Sequence, residues 1–121
     1  MKYKETLLWR RSLDLAIAVN FLIKKIPENE REPDGIYFKL MEAAIRLPFK
    51  IAESYEPYFN DPEELLSQAR IYLKQIIYLV QWSYEQGYFC INDKTRLDGF
   101  CSDLNEMIHK TIRRSLMLSA G

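Results

Sequence analysis

The chain has 121 residues, 48% hydrophobic and 28% charged, with 17 basic and 17 acidic side chains and a formal net charge of zero. That describes one domain, residues 1–121, with apolar material for a core that needs neither disulfides nor metal. The balance gives no bulk signal for nucleic acid or an acidic membrane, and the apolar runs are too short to span a bilayer. The charged N-terminal stretch, Met1 to Asp14, lacks a signal-peptide core. Cys90 and Cys101 match no disulfide scaffold or metal motif, so they read as reduced cytoplasmic thiols.

The first predicted helix runs from about Glu5 to Ile26. Leu8, Ser12, Leu15, Val19, Leu22 and Ile26 alternate by four and three, the seam of a bundle helix. The stretch IPENEREPDG breaks it. A second seam, Tyr37, Leu40, Ala44, Leu47 and Ile51, predicts a helix from near Asp34 to near Tyr55. Pro48 falls inside and cannot bond to the Ala44 carbonyl, which leaves one kinked helix or two shorter ones meeting at Leu47. The apolar phase continues across Pro48 and favours the single kinked helix.

The third helix opens with Asp61 as a cap, Pro62 at the first helical position and Glu64 at capping-box spacing. It is apolar over more than one stripe. Leu65, Ala69, Tyr72, Ile76 and Leu79 form one face, and Leu66, Leu73, Ile77, Val80 and Tyr84 a second. Ile71, Tyr78 and Trp82 form a third patch behind them. A monomeric bundle helix needs one such stripe. The excess predicts a homo-oligomer, with Ile71, Ile77, Tyr78, Trp82 and Tyr84 as interface candidates. Gly87 suits a left-handed C-terminal position. Asn92 is the expected cap of the fourth helix, whose seam is Leu97, Cys101, Leu104, Ile108 and Thr111.

Four helices with short connections predict an all-α, antiparallel, up-down-up-down bundle. That topology gathers Lys2, Lys4, Arg10, Arg11, Lys110, Arg113 and Arg114 at one end, a candidate basic rim for phosphates. Glu53, Glu56, Asp61, Glu63 and Glu64 share that end. Neutralisation between the two sets and favourable charge at helix ends account for them as well.

Catalytic and metal signatures are weak. Glu106-x-x-His109 has the spacing of a carboxylate-bridged metal motif, but one histidine per chain cannot complete such a site, and the pair reads as two solvated side chains. Cys101 lies on the seam as a small core residue. No nucleophile elbow, phosphate loop or dinucleotide fingerprint occurs. Neither enzymatic activity nor a cofactor is expected.

Several pieces together resemble a known family. They are Leu8-Trp9, then KKIPENER (Lys24 to Arg31), AAIRLPFKIAES (Ala43 to Ser54) and QGYF (Gln86 to Phe89). The order and the pattern Ile45, Pro48, Ile51, Ala52, Glu53 are similar to the four-helix-bundle proteins encoded in intervening sequences of 23S ribosomal RNA genes. The likeness spans residues 3–115. It implies a closed ring, typically a pentamer, of antiparallel four-helix subunits whose molecular role is undefined. The expectation is a scaffold that acts by binding, with RNA or a ribonucleoprotein as the candidate partner. Relatives that assist the reverse transcriptases of diversity-generating retroelements bind nucleic acid through a basic surface. Here the connection YEPYFNDPEE, Tyr55 to Glu64, is acidic where the family's is basic. Any nucleic-acid binding is therefore expected to be weak, salt-sensitive and indifferent to sequence. The other expectation is a protein-interaction module without nucleic acid.

Overall fold

A threonine starts the first helix. The Thr6 hydroxyl accepts a hydrogen bond from the Trp9 amide at 3.2 Å, satisfying one of the amides a helix start leaves orphaned. The helix, α1, spans Leu7–Leu22 and tightens into a 3-10 turn at Ile23–Lys25. After a second 3-10 turn at Glu28–Glu30 come α2 (Ile36–Glu53), α3 (Pro62–Glu85) and α4 (Ile91–Ala120). These come from a computed structural model that describes residues 6–56 and 61–120, among which there is no strand.

α1 packs on α2 and α4, and α3 packs on α2 and α4. The seams read from periodicity meet in one core. Leu8, Ser12, Leu15 and Val19 of α1 are buried, as are Leu40, Ala44, Leu47 and Ile51 of α2. Leu97, Cys101, Leu104 and Ile108 of α4 join them, while Thr111 is half-buried. Each fully buried Leu or Ile contributes about 1.5–3 kcal/mol relative to exposure. Ser12 is tolerated inside because its hydroxyl donates to the Trp9 carbonyl at 2.6 Å. Ser83 does the same to Leu79 at 2.8 Å.

α2 is continuous through Pro48, which is itself buried. The alternative of two helices meeting at Leu47 is thereby set aside. α1 stops four residues before Ile26, because Pro27 cannot continue the helix and the chain tightens first. Gly35, the residue before α2, is needed for space: a Cβ there would lie 2.9 Å from the Glu30 carbonyl oxygen.

α3 begins as expected, with the Asp61 carboxylate accepting from the Glu64 amide at 3.0 Å. Its far end closes in a Schellman motif. Gly87 has φ 81°, its amide donates to Tyr84 at 3.0 Å, and the Tyr88 amide donates to Ser83 at 2.9 Å. The Tyr88 ring then folds back onto Trp82 edge to face, centroids 6.0 Å apart.

The start of α4 corrects the expectation for Asn92, which lies within the helix. The residue ahead of the helix is Cys90. Its thiol sulfur accepts from the Asp93 amide at 3.5 Å, and the Asp93 carboxylate accepts from the Cys90 amide at 3.2 Å. This is a reciprocal capping box with cysteine in place of serine. The same carboxylate takes Lys25 at 2.7 Å, joining the 3-10 turn after α1 to the first turn of α4.

Candidate functional site

Lys2 and Lys4 lie outside the described residues. The other five basic-rim residues are all exposed: Arg10 and Arg11 on α1, and Lys110, Arg113 and Arg114 on α4. Lys110 pairs with Glu106 one turn earlier, at 3.0 Å. Among the described residues, Arg11, Arg113 and Arg114 make no ion pair. Of the acids expected nearby, Asp61 serves as the α3 cap and Glu53 pairs with Lys50 at 3.5 Å. Glu106 holds Lys110, and His109 is exposed.

The five interface candidates on α3 separate. Tyr78 is 72% exposed and Ile71 56%, with Ile77 at the margin of exposure. Trp82 and Tyr84 are half-buried. Trp82 is the hydrophobic contact of the Schellman turn, and Tyr84 lies beneath the Lys94 ammonium, 5.9 Å from its ring centre. Ile71 and Tyr78 also line a groove of about 760 Å³ between α2 and α3, with Lys39, Arg46, Lys74 and Gln75 around them. Arg46 sits between Glu42, which favours its charged form most, and Tyr72 across the groove.

Periodicity singled out α3 and missed a second apolar surface on α2. Phe38 is 37% exposed, Ile45 49% and Phe49 64%. They line an open groove of about 790 Å³, flanked by Glu42, Arg46, Lys50 and Glu53. The signal was present: at 100° per residue, positions 38, 45 and 49 fall opposite the core seam of the same helix. On α1, Leu13, Ile17 and Phe21 repeat every four residues and are exposed as well.

The thiols divide by environment. Cys90 is exposed, and Cys101 is buried, where loss of solvation pushes its thiol up to about 12, with Asp98 adding to the shift. Burial raises the Asp93 carboxyl, but the Lys25 ammonium and the Cys90 hydrogen bonds outweigh it and hold it below its usual value. Lys25 is correspondingly raised by its hydrogen bond to Asp93. The buried Nε of Arg70 has no hydrogen-bond partner among the described residues. Nothing in the sequence marked it. No helix among those residues is long and apolar enough to cross a membrane.

No protein-family model matches the chain, and no curated protein matches it significantly.

Proposed function

We propose that this protein is a non-enzymatic, cytoplasmic scaffold that self-associates into a closed ring and acts by binding, in the manner of the intervening-sequence bundle proteins. The observation that carries self-association is the outward face of α3. Tyr78 and Ile71 are exposed on a helix whose core face is already filled by Leu66, Leu73, Ile76 and Val80. Leu13, Ile17 and Phe21 of α1 and Phe38, Ile45 and Phe49 of α2 are exposed as well, and contiguous apolar surface of this kind is where chains meet. A pentamer rests on the family resemblance.

The subunit of this reading is an antiparallel, up-down-up-down bundle. Three contacts support it. Lys25 after α1 meets Asp93 at the start of α4. Tyr84 near the end of α3 meets Lys94 near the start of α4. Lys39 of α2 shares a groove with Leu79 and Trp82 of α3, while Arg46, further along α2, meets Tyr72, earlier in α3. This arrangement sets Arg10 and Arg11 beside Lys110, Arg113 and Arg114, a rim repeated around the ring, where weak single contacts gain from multivalency. RNA or a ribonucleoprotein is the partner class. The second reading, a protein-interaction module without nucleic acid, is favoured by the zero net charge and by the Glu106–Lys110 pair.

Light scattering of the full chain at micromolar concentration tests the ring. The expected mass is a multiple of the chain mass, and Tyr78→Glu with Ile71→Glu should lower it while helix content is kept. A monomeric wild type ends the proposal.

A further inference from the structure

The outward face of α2 has the same spacing read in either direction. Phe38, Met41, Glu42, Ile45, Arg46 and Phe49 are separated by three, one, three, one and three residues, symmetric about the midpoint between Ala43 and Ala44. A phenylalanine closes each end, and Ile45 lies near the centre. All six line the open groove on this helix.

Such spacing lets a copy of this face, turned by a two-fold axis perpendicular to the helix, fall into register with it, as an isologous contact requires. Two such helices laid antiparallel, with the axis at that midpoint, bring Phe38 level with Phe49 of the second copy. Glu42 then comes within one residue's rise, about 1.5 Å along the axis, of Arg46 of the second copy. The two charges lie on one flank of the seam. Within the chain they pair at 2.8 Å, and both also line the groove toward α3. An antiparallel pair brings like flanks together, so each glutamate meets the other copy's arginine, twice per contact. Four charges that alternate in sign replace two isolated pairs, beside an apolar seam that would lose its solvent.

We propose that α2 is a two-fold self-association surface whose occupant is α2 of a second copy of this chain. The contact is independent of the ring reading. A ring forms through head-to-tail contacts between unlike faces, whereas this contact joins identical ones. If chains pair, the product is a dimer; if rings pair, it is a double ring. Either way, breaking the contact halves the mass.

The test uses Glu42→Arg, Arg46→Glu and their equimolar mixture, with full chains in sedimentation equilibrium. Each variant alone sets like charges against each other twice, and should associate roughly tenfold or more weakly at this contact, halving the mass at fixed concentration. In the mixture every facing pair becomes opposite in sign, so the full mass should return. This rescue requires position 42 of one copy to face position 46 of another, which a lost fold or a different partner cannot produce. Circular dichroism checks that both variants fold. Either variant keeping the wild-type mass, or a mixture that fails to regain it, overturns the proposal. So does a wild type whose mass never exceeds one chain. Repeating the swaps in a Tyr78→Glu background separates the outcomes: halving and rescue persist there even when the ring is gone.

Discussion

The two ends of α4 handle charge in opposite ways. In its first turns nearly every ion is engaged. Asp93 closes the cap on Cys90 and holds Lys25, and Lys94 pairs with Asp98 while lying over Tyr84. Arg31, in the segment that follows α1, belongs to the same style. It donates to the Ile26 carbonyl at 3.1 and 3.2 Å and stacks on Tyr37 at 4.6 Å. Toward the far end, Lys110 has Glu106, but Arg113 and Arg114 are exposed and without an ion pair among the described residues. Arginine is a structural residue in one region and a presented charge in the other. A net charge of zero hides that difference, because it counts charges without regard to their partners.

Removing Asp93 should cost the most. Asp93→Ala deletes the acceptor of the capping box, and the loss expected at neutral pH is about 1–2 kcal/mol. The exposed partner Lys25 adds little to that. The pH dependence has a definite sign. A carboxyl whose folded pKa is depressed contributes stability above the unfolded value, near 4, and loses it as pH falls through the folded value. Lys25 is raised, so its contribution is present below the usual lysine pKa and fades as pH rises through the folded value. Chemical denaturation from pH 2 to 7 should therefore show a gentler acid loss in Asp93→Ala than in wild type. Parallel acid limbs would mean that Asp93 is not a source of that loss.

At the other end the expected effect on stability is the smallest. Arg113→Glu with Arg114→Glu should move unfolding by no more than about 0.5 kcal/mol, because both side chains are exposed and neither has an ion pair among the described residues. Its effect on binding is the sharper readout. Any affinity of the wild type for single-stranded RNA should fall steeply with added salt, and the double variant should remove it. RNA binding that ignores the double change, measured by fluorescence anisotropy, would place the contacts elsewhere.

The seams could be read from periodicity alone because burial follows it: Leu97, Cys101, Leu104 and Ile108 are all inside. Helix ends were less legible. Asn92 has the better capping side chain, yet Cys90 takes the position, because the Schellman turn after α3 delivers the chain to α4 two residues earlier. Trp82 looked available for a partner from its place on the wheel. Its ring is met by Tyr88, and that contact exists only once Gly87 has reversed the chain. On α2 the opposite happened. The exposed stripe was visible as spacing, but one helix carrying apolar residues on opposite faces reads as a generally apolar helix until its neighbours are placed.

Cys101 turns the interior into a clock. Burial pushes its pKa up to about 12, so it stays a thiol at neutral pH, and only 1% of it is exposed. Cys90, exposed at the head of α4, has no such shelter. A thiol reagent should therefore modify Cys90 promptly and Cys101 only when the bundle opens. Mass spectrometry would resolve the two events, and equal rates would show that the core admits reagent without opening. The second rate then measures how often the seam between the helices comes apart under native conditions, with no denaturant.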